Sequence, residues 1–582
     1  MRIDRSQVKQ LKSEWRAYER ELSGTEDLFT VGLGASFVVE SLCPFLGAKL
    51  LRAGFNPFLH VAPYNQLFQV CMDPFTCFGT DKIPEAVVLL WRIEDILAPE
   101  LECMYAGREN ALDKALKKLD EFASAVKKLR SSLDGVLIVN TPPSPQSVIS
   151  DLSDLRNHIT TGPFHRSVLD HWNVLLEGIG GVDVLDLDAL QRAFGADDAF
   201  DARKWYLYNQ PYAEKFLAEI GDALSRIVCV KKVPQRKCAA LDCDGTLWGG
   251  VVGEDGPGGL SLGDEFPGRA YRDLQRLLLH WHDQGVFLAL LSKNNEAEVW
   301  NVFESHDAMV LRREHICSWR INWQMKSENI LGIAKDLNIG LDSFVLIDDS
   351  AFEIEQMRMS HPEVTCLQLP EDPARIIETV VDAHPFDRLK VTKEDRSRTK
   401  MVSQERQRME FKSQMSEEQF LDSLKLHVEA FPVTSEYLGR VTQLINKTNQ
   451  FNLTTLRRTR EQVQALGDDY RMYAAKVWDR FGEYGLTGLA IVHIDGHEWL
   501  LDTFLLSCRV LGRKVETALL AYVAKQAKDE AAELICGRYI STPKNVPVAD
   551  FLSQHGFKQG KNTWWCTRPE SIPEVPKHIT LV

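Results

Sequence analysis

The sequence predicts a multidomain α/β protein, and three of its features carry that reading. Between residues 29 and 140, short apolar runs alternate with stretches of helical apolar spacing, the pattern of a parallel sheet with crossover helices. Between 239 and 349, three further apolar runs each empty into polar residues. Between 473 and 524, strand-like runs follow one another and close on a helix. A chain of 582 residues has room for roughly three to four domains of ~150 residues, each with its own core.

The first region, residues 1–225, opens with a charged helical stretch. Phe29-Thr-Val-Gly-Leu-Gly-Ala-Ser36 then reads as a strand running into a small-residue turn, followed by helix-like Leu46-Gly-Ala-Lys-Leu-Leu-Arg52. Phe58-Leu-His-Val-Ala62, Ala86-Val-Val-Leu-Leu-Trp91 and Gly135-Val-Leu-Ile-Val-Asn140 continue the series. Ser36, Asn65 and Asn140 are its candidate polar positions.

The second region, residues 226–385, holds the most chemistry. Ala239-Ala-Leu-Asp242-Cys243-Asp244-Gly-Thr246 is a buried run emptying into D-x-D-x-T, which can turn Asp242 and Asp244 into one crevice at the carboxyl edge of a parallel sheet. Cys243 lies between them and points the other way, as core. Val286-Phe-Leu-Ala-Leu-Leu-Ser292 is a second strand ending in a hydroxyl, Lys326 opens a helix, and Ser343-Phe-Val-Leu-Ile347 runs into Asp348-Asp349.

Each residue type has a task in aspartate-based phosphoryl transfer. A carboxylate attacks phosphorus only where the phosphate's charge is offset, so a divalent cation and a fixed ammonium belong beside it. Asp242 is the candidate nucleophile, and Asp244 the candidate acid and base. Thr246, Ser292 and Lys326 are the candidate phosphate contacts. Asp242, Asp244, Asp348 and Asp349 are the candidate metal ligands, with Glu353 a further acidic candidate. The expected ion is Mg2+, which takes few carboxylates and keeps its waters for substrate phosphate.

Residues 386–418, with Lys393-Glu-Asp-Arg-Ser-Arg-Thr-Lys400 and Gln404-Glu-Arg-Gln-Arg408, are dense in mixed charge and predict an exposed helical linker. The third region, 419–582, contains the amide-rich Asn446-Lys-Thr-Asn449-Gln-Phe-Asn452, which suits either a polar ligand or an exposed loop. Tyr473–Trp478, Leu486–His493 and Trp499–Leu506 read as strands. The last runs into Ser507-Cys508-Arg509-Val-Leu-Gly512-Arg513-Lys514 and a helix from Val515. A strand, a Gly- and Arg-bearing turn and a helix N-terminus form an anion site, because unpaired amides point outward there.

Composition narrows the classes further. The 44% hydrophobic and 26% charged fractions are those of an ordinary globular protein, and a net charge of −14 argues against nucleic-acid backbone as a partner. No apolar run is long enough to span a bilayer, so a membrane is not an expected partner and a cytoplasmic location is. Twelve cysteines without C-x-x-C pairing indicate neither a zinc ribbon nor a disulfide framework.

Three resemblances follow from these motifs. Residues 236–385 resemble the haloacid-dehalogenase (HAD) superfamily. Only the flap-like Trp248-Gly-Gly-Val-Val-Gly-Glu-Asp-Gly256 follows Thr246, so the resemblance implies a capless, Rossmann-like domain open to bulky or protein-attached substrates. Residues 1–225 resemble flavodoxin-like domains of the SGNH-hydrolase type. Gly34-Ala35-Ser36 stands where Gly-Asp-Ser is usual, and Asp154 to His158 has the wrong spacing for the closing Asp-x-x-His, so docking or support is expected there. Residues 419–582 resemble the α+β GNAT acyltransferase fold, which implies pantetheine binding by Arg509, Gly512 and Arg513, with Lys514 where Gly or Ala is usual.

The three together resemble FkbH-like proteins of HAD subfamily IIIC. That resemblance implies a phosphatase and acyl transferase that takes the glyceryl unit of 1,3-bisphosphoglycerate, removes phosphate, and loads the unit as a thioester on the 4'-phosphopantetheine arm of an acyl carrier protein in polyketide biosynthesis. It also gives Cys508 a role as acyl acceptor, flanked by Arg509. The alternatives are a coenzyme A-dependent N-acyltransferase fused to a small-molecule phosphatase, and a non-catalytic docking scaffold for a carrier protein.

Overall fold

A computed structural model describes residues 3–22, 28–108, 110–145, 161–389, 391, 396, 399, 408, 415–560 and 564–582. Their packing resolves into two compact units, one of residues 1–274, 325–328 and 339–391, the other of 275–324, 329–338 and 392–582. Asp154 and His158 lie outside the described residues, as does most of the linker expected over 386–418. Of that linker Arg408 is described, and it is buried: its guanidinium donates to both oxygens of Asp479 at 2.8 and 2.9 Å. For this residue the expected solvated face is corrected, because a fork-shaped cation matched to a carboxylate can be desolvated.

The first sheet is parallel throughout, in the order β2-β1-β3-β4-β5, with β1 Phe29–Ala35, β2 Pro57–Val61, β3 Ala86–Leu90, β4 Val136–Thr141 and β5 Val182–Asp186. Strand alternation divides β3 between two cores. Ala86, Val88 and Leu90 face one that includes Phe45, Phe216 and Leu224, while Val87 and Leu89 face one that includes Phe122 and Trp172. That is why β3 reads as an unbroken apolar run: helices cover both faces. The charged opening segment is the helix Arg5–Glu21, started by a capping box between Asp4 and Gln7.

The second sheet has the order β10-β9-β6-β7-β8, with β6 Cys238–Leu241, β7 Phe287–Ser292, β8 Ile316–Ile321, β9 Phe344–Asp348 and β10 Thr365–Gln368. Its pairs β6–β9, β9–β10 and β7–β8 are parallel. The expected strands at 239–241, 286–292 and 343–347 are all present, and the helix expected at Lys326 is Lys326–Leu337.

The third sheet runs β17-β18-β16-β15-β14-β13-β11-β19, with β12 paired to β15 as well. Its strands are β11 Leu426–Pro432, β12 Phe451–Asn452, β13 Tyr470–Asp479, β14 Gly482–Asp495, β15 Glu498–Leu506, β16 Leu534–Arg538, β17 Lys558–Gln559, β18 Trp564–Thr567 and β19 Ile579–Leu581. β13, β14 and β15 form an antiparallel meander, whereas β15 and β16 are parallel and joined through the helix Val515–Asp529. The cysteines form no framework, but two of them pair. Cys536 and Cys566 form a disulfide, because antiparallel β16 and β18 set the two residues directly opposite each other. No helix among the described residues is long and apolar enough to cross a membrane.

Candidate functional site

The second sheet gathers the predicted acidic residues at its carboxyl edge, where open parallel sheets bind ligands. Asp242 follows β6 directly, and its N–H still donates to Ile347 O at 3.1 Å, so the nucleophile candidate is fixed by the last rung of the β6–β9 ladder. Asp348 ends β9, and its Oδ1 accepts from the Ser350 N–H at 3.0 Å. Ser350 in turn caps the helix Ala351–Ser360, and buried Glu353 sits in that helix's first turn.

Lys326 ties these carboxylates together. It is 3% exposed, and its Nζ lies 3.0 Å from Asp242 Oδ1 and 2.6 Å from Asp348 Oδ2. Burial opposes its charge, yet Asp242 and Asp348 outweigh that and hold the ammonium above the ordinary lysine range. Asp348 is pushed up to about 6, first by burial and then by repulsion from Asp242, against the pull of Lys326. Asp349 is raised for the same two leading reasons. One ammonium is thus shared among more negative charge than it offsets.

Asp242, Asp348 and Asp349 each offer a carboxylate oxygen lying within 4.8 Å of the others'. Oxygens around octahedral Mg2+ at ~2.0–2.1 Å lie roughly 3 Å apart when adjacent and roughly 4 Å when opposite, so small side-chain adjustments let this trio hold the ion. Gly245 lets Asp349 approach: at φ +69, a Cβ on it would stand 2.3 Å from Asp349 Oδ2. Asp244 is engaged differently. Its Oδ1 accepts from Trp248 Nε1 at 2.7 Å and from the Val252 N–H at 3.1 Å, both in the flap-like insert. The sequence marks Trp248 as the start of that insert but not as a partner of Asp244.

Thr246 is fully buried, and its hydroxyl has no partner among the described residues, which suits an oxygen-rich ligand. Ser292 is the buried last residue of β7, with its carbonyl accepting from the Asn322 N–H at 3.1 Å. Cys243 is fully buried, as expected of core.

In the first sheet Ser36 follows β1 and is fully buried. Its hydroxyl donates to Asp95 Oδ2 at 2.7 Å and accepts from the Arg92 N–H at 3.1 Å, so a carboxylate stands where a histidine base would be needed. Asn65 takes φ +56 in the turn after β2. Asn140 is structural: its side chain brackets the Trp91 backbone at 2.7 and 3.0 Å, and its carbonyl accepts from the indoles of Trp91 and Trp172. Burial pushes the Asp95 carboxyl up to about 6, despite Arg92 and the Ser36 hydrogen bond. A folded value above the unfolded one gives stability that is complete below about pH 4 and is lost as pH rises through about 6. Asp95→Asn is therefore expected to raise stability at pH 8 by about 3 kcal/mol and to give no gain at pH 4. Thermal unfolding at the two pH values measures this, and an equal gain at both would contradict it.

In the third sheet Cys508 is an exposed free thiol just beyond β15, opening the turn Cys508–Val510, with Arg509 also exposed. Gly512 has φ +74, and Lys514 adopts φ +62 at the start of the helix, so the chain keeps a glycine-like backbone there with a side chain attached. Arg513 is turned inward: it is 8% exposed, lies 5.0 Å over the Tyr484 ring, and donates from Nη1 to Arg509 O at 2.6 Å. It braces the turn from inside.

The amides of the 446–452 stretch divide. Asn452 is fully buried, its Oδ1 accepts from the Thr454 and Thr455 N–H groups, and its carbonyl accepts from Asn545 Nδ2 at 2.9 Å. β15 pairs with β16 only as far as Leu501, and farther along that edge Phe451 and Asn452 pair with Leu506 and Leu505. Leu453 then accepts from the Ile540 N–H at 2.9 Å. Asn452 therefore holds the chain's own segment in the gap between two parting strands.

No protein-family model matches the sequence, and no curated protein does either. Among solved structures, the N-terminal part of a Bacteroides fragilis protein, containing a phosphatase domain and complexed with Mg, matches at TM-score 0.56 and 24% identity. The match covers 66% of this chain and 99% of that one, and it shows a shared fold. The ribosomal-protein-S18-alanine N-acetyltransferase of Escherichia coli matches at TM-score 0.20 and 10% identity, covering 26% of this chain and 97% of its own. An acetyltransferase of the GNAT family from Staphylococcus aureus matches at TM-score 0.20 and 13% identity, covering 24% and 99%.

Proposed function

We propose that this protein is a magnesium-dependent phosphatase of the HAD type whose phosphate removal serves an acyl transfer. The observation that carries the reading is the buried Lys326 bridging Asp242 and Asp348, with Asp349 completing a three-carboxylate group. Such a cluster is costly to a fold and suits a divalent cation, which would then draw a phosphate dianion. Asp242, Asp348 and Asp349 would hold Mg2+, which offsets phosphate charge when bound. Asp242 attacks phosphorus, Asp244 protonates the leaving oxygen, and Lys326 and Thr246 bind the phosphoryl oxygens. The Bacteroides fragilis neighbour's phosphatase domain with Mg supports this assignment.

The substrate we infer is a phosphorylated three-carbon acyl donor, 1,3-bisphosphoglycerate, and the acceptor the thiol of a carrier protein's 4'-phosphopantetheine arm, in polyketide-type biosynthesis in the cytoplasm. Cys508 supports the transfer half, being an exposed free thiol beside Arg509 at a helix-preceding turn. Its thiolate would attack the acyl carbon, the C–O bond to phosphate would break, and the thioester would pass to the carrier thiol. Because Phe451 and Asn452 already pair with the outer end of β15, the arm is expected to approach end-on past Ser507, not as an added strand.

Incubation with 1,3-bisphosphoglycerate and Mg2+ is expected to add one glyceryl unit to the intact mass and to release phosphate. Cys508→Ala is expected to remove the adduct. An undiminished adduct in that variant, or none in the wild type, would overturn the role of Cys508.

A further inference from the structure

Asp244 cannot act as a proton donor unless one of its oxygens faces the leaving group, and the residues that orient it come from the flap. Trp248 is fully buried, so its indole has one available setting, and that setting places Nε1 2.7 Å from Asp244 Oδ1. The Val252 N–H reaches the same oxygen at 3.1 Å. The insert carrying both donors is itself pinned. Gly249 and Ser261 exchange backbone hydrogen bonds at 3.1 and 2.8 Å, and Asp255 Oδ2 accepts from the Val251 N–H at 2.8 Å. Gly249 packs against Tyr271, where a Cβ would stand 2.8 Å from the ring.

We infer that Trp248 and the Val252 amide are positioning groups for Asp244: by holding Oδ1 with two N–H donors they fix the plane of the carboxyl from which it serves the leaving oxygen. This rests on the phosphatase reading above. In the step they serve, the bond from Asp242 to phosphorus forms, the bond from phosphorus to the leaving oxygen breaks, and the proton on Asp244 moves to that oxygen. Holding this side chain gives the short insert a task beyond covering the phosphate. The indole is uniquely suited among apolar side chains, since it fills a buried space and carries a single donor with no acceptor.

The role predicts a dependence on the leaving group. Phenolate needs a proton as it departs, whereas p-nitrophenolate departs without one, so a misplaced donor slows phenyl phosphate more than p-nitrophenyl phosphate. Trp248→Phe is expected to lower the ratio of kcat/KM for phenyl over p-nitrophenyl phosphate about tenfold or more, within the range general acids contribute. Val252→Pro, which deletes the second donor at a helix position that tolerates proline, is expected to lower the same ratio while leaving the buried indole in place. In an Asp244→Asn background, Trp248→Phe should change the ratio no further. In a nitrogen-15 spectrum, the indole N–H signal that vanishes in Trp248→Phe should move in Asp244→Asn. Equal loss on both esters in both variants would mean a merely structural role and would overturn the inference. A wild-type enzyme that hydrolyses neither ester with Mg2+ would overturn the phosphatase reading itself, and active wild type with an unchanged ratio would overturn only the roles of Trp248 and Val252.

Discussion

Asp242→Asn is expected to lower phosphate release from a phosphate ester, such as the 3-phosphate of the proposed substrate, by about 10^3-fold or more while leaving the fold intact, because an amide of the same shape cannot attack phosphorus. The substitution keeps the volume at a position 8% exposed and keeps the backbone rung to Ile347. It also removes one of three oxygens grouped for the cation, so the Mg2+ concentration needed for any residual activity should rise. Phosphate release measured across a Mg2+ series, beside a thermal melt, separates these effects. Retained release with an unchanged Mg2+ requirement would remove Asp242 from the chemistry.

Lys326→Met is expected to be the most destabilising substitution at the site. It leaves Asp242 and Asp348 facing each other without the ammonium that now lies 3.0 and 2.6 Å from them. Breaking a buried pair in this way costs about 3–5 kcal/mol when the remaining charges cannot escape. Proton uptake is their escape. Asp348 stands at about 6 even with Lys326 present, and without it the value must climb further. A folded value above the unfolded one means stability is complete at low pH and lost as pH rises through the folded value. The loss in Lys326→Met should therefore be largest near pH 8 and smaller near pH 5, and added Mg2+ should recover part of it by binding the folded state. Thermal unfolding at both pH values, with and without Mg2+, tests this; a loss of the same size at pH 5 and pH 8 would contradict it.

What could be seen in the sequence follows from how each feature is encoded. Asp242, Ser292 and Asp348 each end a buried run, and Lys326 opens a helix, so period and punctuation alone put them at element ends. The roles that escaped depend on a side chain turning back on its own chain or across to a distant strand. Trp248 reads as the first residue of a flap-like loop until its indole is seen to meet Asp244. Ser36 and Asp95 are 59 residues apart, and only the adjacency of β1 and β3 brings a carboxylate to that hydroxyl. The Cys536–Cys566 disulfide depends on a register between β16 and β18 that no spacing rule supplies. Arg513 resembles a surface ligand in sequence but points inward over Tyr484, and the buried Asn452 resembles a loop amide but holds a strand edge. Local pattern encodes where residues sit along an element; partners across the fold come from topology.

Bonding of phosphorus to Asp242 can be read chemically. Borohydride reduces an aspartyl-phosphate to homoserine, so enzyme quenched during turnover of 1,3-bisphosphoglycerate with Mg2+ and reduced should carry homoserine at position 242, detected by peptide mass mapping. That modification should be absent without Mg2+ and in Asp242→Asn. An enzyme that turns over yet keeps an unmodified Asp242, or carries the reduced residue at another aspartate, would contradict the account.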